Sequence, residues 1–298
     1  MEKIVSLGMM EQPVMRGEVL DDDDLSTVKK YFSLITHLES KHLDTIKPVR
    51  QRWKELGSDG RFLFHVQYPT EGGGTLNLVD PEFKTRLGKN FSDILEITRP
   101  EWISFHLGLA CEKLISGGQF GFEKGDSPVI EKNVILSRII ENIHNLKQNF
   151  FHNRILLENL DYMPMEQSNG SYEHVCVPEF IKTALEETGC GMLLDVGHAT
   201  VTGKNSGYAD VRDYLNAIPL EKVVEIHMSG SGVKDGIAND AHNPITNPDQ
   251  KEAEYLEAIL NSGRMTDLMA ITLETFENIE AQLDLLKNIL DRTGYSIK

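Results

Sequence analysis

The sequence predicts an α/β chain folded as a (β/α)8 barrel, and two observations carry that prediction. Eight short apolar, β-rich segments follow one another with amphipathic helical stretches between them, the pattern of a parallel sheet built by crossovers. From the third segment onward, each ends on histidine or carboxylate side chains, at the place where such barrels carry their chemistry.

The strands are read at Ile4–Leu7, Ser33–Thr36, Phe62–Val66, Trp102–Phe105, Ile155–Leu157, Met192–Leu194, Val223–Ile226 and Ile271–Leu273. Helical periodicity marks Thr45–Leu56, Pro81–Leu95, Glu131–Phe150, Pro178–Thr188, Ala253–Leu260 and Ile279–Leu290. Eight such units in 298 residues favour a closed barrel over an open sheet. No linker, low-complexity tract or charge break divides the chain, so residues 1–298 are read as one domain. The stretches Glu71–Gly74 and Ser116–Gly125 follow the third and fourth strands, and read equally as mobile lids or as tolerated surface loops.

Composition narrows the partners. The chain carries 46 acidic against 30 basic residues, a net charge of −16, which repels a phosphate backbone and argues against a nucleic-acid partner. The run Asp21 to Asp24 precedes a helical pattern and lacks the spacing of a calcium loop, so it reads as a solvated helix N-terminus. Cys111, Cys176 and Cys190 lie far apart and form neither a disulfide framework nor a zinc knuckle; Cys190 reads as a buried, inert thiol. No apolar run approaches a membrane span, and Met1 to Gly17 lacks the order of a signal peptide. A cytoplasmic protein with no membrane partner is the expectation.

The strand ends carry the strongest signal. FLFHV brings His65 and ISFHLGL brings His106. ILLENLDY ends on Glu158 and Asn159, and GMLLDVGHAT supplies Asp195 with His198 three residues on. VVEIHMSG delivers His227, NDAHNP adds Asp240 and His242, and ITLETFEN presents Glu274. A barrel strand is buried on both faces, so apolar side chains should continue to its end, and a charged one there needs a partner. Imidazoles and carboxylates that converge on one mouth repel or stay desolvated unless a cation joins them. Five of the ten histidines fall in this arrangement. His37, placed near the end of the second strand, is a marginal sixth that could line the pocket. Neutral imidazole with ionised carboxylate suits zinc, iron and manganese alike, so a site for two or three divalent ions is expected. Asn159 and Tyr162 are candidates to touch a ligand or substrate, though such residues are more often structural.

The order and local spacing of His65, His106, Glu158, Asp195, His198, His227, Asp240, His242 and Glu274 resemble the trinuclear zinc site of endonuclease IV. The surrounding text resembles the multinuclear non-heme iron-dependent oxidases of the methanobactin-maturation type. LLENLDYMP is similar to that family's Glu-Asn motif and GMLLDVGHATVTGKNSGY to its Leu-Leu-Asp-Val segment. YLNAIPLEKVVEIHMSG, DAHNPI and the Glu-bearing last strand resemble its C-terminal half. Both families belong to the xylose isomerase-like TIM barrel superfamily. The oxidase resemblance implies two or three irons at the mouth and oxidative modification of a ribosomally made peptide, with a partner protein usually delivering it. Two positions depart from the pattern: Ser231 stands where a second histidine is frequent, and His198 where many members have Asn. Both bring the ligand set closer to that of the endonuclease.

Three catalytic readings follow. The first is an iron-dependent oxidase of a peptide or thiol-containing substrate. The second is a metal-dependent phosphodiesterase, and the third a sugar isomerase or epimerase using one metal and a carboxylate pair. A non-catalytic metal-dependent scaffold is the reading from outside enzymology.

Overall fold

The computed structural model describes residues 3–11, 30, 32–55, 60–68, 76–112, 115–116, 122–123, 128–149, 154–164, 172 and 174–297. Eight parallel strands form its centre: β1 Lys3–Met10, β2 His37–His42, β3 Arg61–Tyr68, β4 Trp102–His106, β5 Arg154–Glu158, β6 Gly191–Asp195, β7 Val223–Met228 and β8 Ala270–Leu273. Neighbours in sequence are neighbours in the sheet, and β8 pairs in parallel with β1, so the sheet closes into a (β/α)8 barrel. A short strand, Tyr295–Ile297, adds to the start of β1.

Helices cover the outer face: α1 Ile46–Glu55, α2 Phe83–Leu87, α3 Phe91–Thr98, α4 Lys132–Asn149, α5 Pro178–Thr188, α6 Val196–Asn205, α7 Val211–Ala217, α8 Lys251–Asn261 and α9 Ile279–Thr293. The main core lies between them and the outward strand residues, with Trp53, Phe83, Phe105 and Phe180 fully buried there. Among the described residues no helix is long and apolar enough to cross a membrane.

Inside the barrel a second, smaller apolar cluster of Leu63, Trp102, Leu156, Leu193, Val224 and Ala270 forms a plug. Side chains alternate faces along a strand, so the residue two positions further on points inward again. On five of the six strands those positions hold His65, Ser104, Glu158, Asp195 and Thr272, and one step higher His106 and Glu274. On β7 the pairing register skips Val224, so Glu225 and His227 take the inward places and Ile226 joins the outer core. The plug excludes water from below, and the same strands then deliver polar groups above it.

Three expectations need correction. The second strand is not Ser33–Thr36, where the backbone turns, but His37–His42. Its sequence HLESKH looks like a loop because its inward residues serve a polar interior. His37 therefore begins β2 rather than ending it. It sits fully buried below the mouth, with Nε2 2.9 Å from Thr272 Oγ1. The helix read at Pro81–Leu95 divides into α2 and α3 at Gly88, whose φ of 81° a side chain would strain. Of the two stretches read as lids or loops, Glu71–Gly74 lies outside the described residues, as does Asp21 to Asp24. Within Ser116–Gly125 the described part is a short antiparallel pairing of Ile115–Ser116 with Phe122–Glu123.

Candidate metal centre

The nine side chains named from the sequence converge above the plug. Glu158, at the end of β5, is the middle of the group. Its Oε2 lies 3.4 Å from His65 Nε2 and 3.3 Å from His106 Nε2. Its Oε1 lies 3.3 Å from His198 Nδ1 and 3.9 Å from His227 Nδ1. His227 Nδ1 is also 3.3 Å from Glu274 Oε1. Asp195, His227 and Glu274 bring ligand atoms within 4.8 Å of one another, as do Glu158, Asp195 and His198, and also His65, His106 and Glu158. Nearer solvent, Asp240 Oδ2 stands 3.1 Å from His242 Nδ1 and 3.6 Å from His198 Nε2.

Local structure explains how each is aimed. Asp195 is the N-cap of α6: one oxygen accepts from the backbone N–H of His198 at 2.6 Å, and the other is left over. The three-residue spacing is thus the spacing of a helix cap, and it sends His198 back over the barrel. Asp240 and His242 alternate along Ile237–Asn243, an antiparallel ribbon strand paired with Gly230–Lys234. Ser231 on that ribbon donates through N and Oγ to Glu252 Oε1, at 3.0 and 2.6 Å.

Three imidazoles have their outer nitrogen tied down. His65 Nδ1 meets Ser104 Oγ at 3.1 Å, His198 Nδ1 meets the Asn159 carbonyl at 2.9 Å, and His227 Nε2 meets Glu39 Oε2 at 2.8 Å. A ring held this way keeps one tautomer and one orientation, and offers its other nitrogen inward. Asn159 is spent on structure: its amide donates to the Asp195 carbonyl at 3.0 Å and accepts from the Asp195 N–H at 2.9 Å. Tyr162 is half-buried against the core, with its backbone held by Thr202 and Asn205.

The electrostatics are those of an uncompensated site. Burial pulls His65 down to about 3 and lowers His106, which keeps both neutral and able to ligate. Burial opposes the Glu158 carboxylate, but His106, His65 and His198 outweigh it and hold it at about 2. Burial raises Asp195 well above the carboxylate range. For His198 and His227 burial works against the charge, yet Asp195 beside the first and Glu39 and Glu274 beside the second hold both well above the usual imidazole value.

Five buried atoms here have no hydrogen-bond partner among the described residues: Glu158 Oε2, Asp195 Oδ2, His227 Nδ1, Asp240 Oδ1 and Glu274 Oε2. Buried polar atoms are rarely left so, since each costs about 1–3 kcal/mol. All five belong to one constellation, and all are lone-pair donors when deprotonated. Divalent cations fit them.

Sequence reasoning missed Glu39. It lies on β2, fully buried, and with Glu225 and His227 it forms a further group within 4.8 Å. Glu225 accepts from Trp102 Nε1 at 2.6 Å and from Thr272 Oγ1 at 2.5 Å. Burial, then Glu39, pushes Glu225 up to about 8. A charged residue two places before a ligand, as in VVEIHM, was the available signal for Glu225; for Glu39 the misplaced strand hid it.

Comparison with known proteins agrees with this geometry. A family model described as "RiPP precursor modification enzyme MbnB/TglH/ChrH" matches residues 77–291. The UPF0276 protein of Acaryochloris marina is 31% identical over 223 residues, covering 70% of this chain and 75% of that one. The UPF0276 protein of Bordetella pertussis is 30% identical over 168 residues, 56% of this chain, and the match spans only 54% of that protein's length. A xylose isomerase-like TIM barrel protein from Mycobacterium smegmatis superposes with a TM-score of 0.60 at 10% identity, over 98% of this chain and 97% of that one. That structural likeness shows the fold, xylose isomerase-like, and the family match covers every one of the candidate ligands except His65. The chain belongs to the MbnB/TglH/ChrH family of RiPP precursor modification enzymes.

Proposed function

We propose that the protein is a multinuclear iron-dependent oxidase that modifies a ribosomally made peptide or another thiol-containing substrate. The observation that carries the reading is the set of unpartnered buried ligand atoms around Glu158, in a chain whose family acts on precursor peptides. His65, His106 and Glu158 would hold one metal ion. Glu158, Asp195, His227 and Glu274 would hold a second, with Glu158 shared, and His198, Asp240 and His242 a third. Bound iron would supply the redox chemistry, drawing electrons from the substrate and passing them to dioxygen.

The residues supply the rest. Four carboxylates, Glu158, Asp195, Asp240 and Glu274, balance the charge of two divalent ions. A third ion leaves an excess positive charge that favours an anionic group such as a substrate thiolate. His242 is 47% exposed while His65, Glu158 and His227 are at most 2% exposed, so the substrate approaches along the Asp240–His242 side. The plug below closes the other end to water. In this reading the peptide is presented by a partner protein, in the cytoplasm where it is synthesised.

The test uses protein purified without oxygen and loaded with iron, offered a cysteine-containing precursor peptide encoded beside its gene. On exposure to air the expected result is a defined mass change in the peptide with consumption of dioxygen, and none from zinc-loaded protein. Equal turnover with zinc, or without oxygen, contradicts the oxidase. Cleavage of abasic DNA by the zinc form would replace it with the phosphodiesterase reading.

A further inference from the structure

The three imidazoles with fixed outer nitrogens are not backed alike. Ser104 offers His65 a neutral hydroxyl, and Asn159 offers His198 a neutral carbonyl. His198 Nδ1 also lies 3.3 Å from Glu158, itself a proposed ligand. His227 Nε2 has a closer carboxylate, Glu39 at 2.8 Å, that stands outside the proposed ligand set. Both residues are fully buried, and the second Glu39 oxygen has no hydrogen-bond partner among the described residues. Glu225 stands 3.7 Å from the same His227 nitrogen, but both its oxygens already accept hydrogen bonds, from Trp102 and Thr272. Among the described residues the Glu39 carboxylate makes one hydrogen bond, and its partner is His227.

A buried carboxylate is costly unless something gains from it. Here the gain lies in the ring. An N–H shared with a carboxylate makes the opposite nitrogen a stronger donor, and it forbids the tautomer that would turn a proton inward. We infer that Glu39 is a positioning residue that acts through His227 to strengthen metal binding at the position shared by Glu158, Asp195, His227 and Glu274. The inference rests on the ligand reading above. It goes further in making that position the tightest of the three, and in assigning the difference to a residue on a strand separated from that of His227 by two others in the barrel order. The position gathers three carboxylates and an imidazole with a fourth carboxylate behind it. The position of His65, His106 and Glu158 has one carboxylate and a neutral backing.

Cobalt(II) tests this, since it binds the same donors and reports its ligands by its visible spectrum. The metal-stripped chain is titrated as wild type and as Glu39→Gln, Glu39→Asp, Ser104→Ala and His227→Ala. Glu39→Gln keeps the size of the side chain and removes the charge. It is expected to weaken one cobalt, the tightest, by about 10–100-fold, and to leave the others within about threefold. Glu39→Asp should recover part of that loss, and Ser104→Ala should leave the tightest cobalt unchanged. A merely structural role for Glu39 would lower all affinities together with the melting temperature, and that result overturns the proposal. So does wild-type binding in Glu39→Gln while His227→Ala loses a cobalt, which would leave the ligand reading standing. If His227→Ala binds cobalt as the wild type does, the ligand reading fails and takes the proposal with it.

Discussion

Replacing Glu158 with glutamine is expected to leave at most about one metal ion per chain and to lower peptide modification at least about a thousandfold, ~4 kcal/mol of barrier. The reason is its place. Each oxygen faces two imidazoles, from β3 and β4 on one side and from α6 and β7 on the other. No other carboxylate in the centre stands within 4 Å of four histidines. Glutamine fills the same volume at a 1% exposed position, so the barrel should still fold. What disappears is one negative charge and one shared donor, which weakens two metal positions at once. Elemental analysis of the variant, read beside its turnover, checks this. A Glu158→Gln protein that retains its metals and a tenth of its activity would remove Glu158 from the middle of the mechanism.

The second large effect is on stability. Gly8 on β1 stands opposite His37 on β2, and a methyl group at Gly8 would overlap both the His37 ring and its carbonyl oxygen. The ring is held by Thr272 and the carbonyl belongs to the strand backbone, so neither can yield cheaply. Gly8→Ala is expected to cost about 3 kcal/mol or more, at the upper end of overpacking. Because β2 carries Glu39, the same change should loosen metal binding. Denaturant unfolding of the metal-free protein measures the first effect, and a loss below about 1 kcal/mol would contradict the close approach.

The fold was legible because barrel strands are short apolar runs whose neighbours are helices, and seven of the eight stood where the runs stand. The centre was legible because polar residues ended those runs where nothing local required them: His65 in FLFHV, Glu158 in ILLEN, His227 in VVEIHMSG. β2 was not legible. Its inward side chains, His37 and Glu39, are themselves polar, so the strand carrying the support of the site had no apolar signature. Asp195 and His198 show the converse case. Their spacing pointed to a shared centre, but only the structure reveals that a helix cap sets it. Asn159 read as a candidate to touch a ligand or substrate, and its amide is instead engaged with the backbone of Asp195. Such pairing across two strands leaves no mark in a single sequence.

The most direct test of the central claim is the metal content of protein purified without oxygen and without added metal, then reconstituted with ferrous iron. Two or three irons per chain, falling to at most about one in Glu158→Gln, is the result expected from the nine side chains that meet above the barrel plug. A chain that stays metal-free after reconstitution, with its barrel intact by circular dichroism, would contradict it.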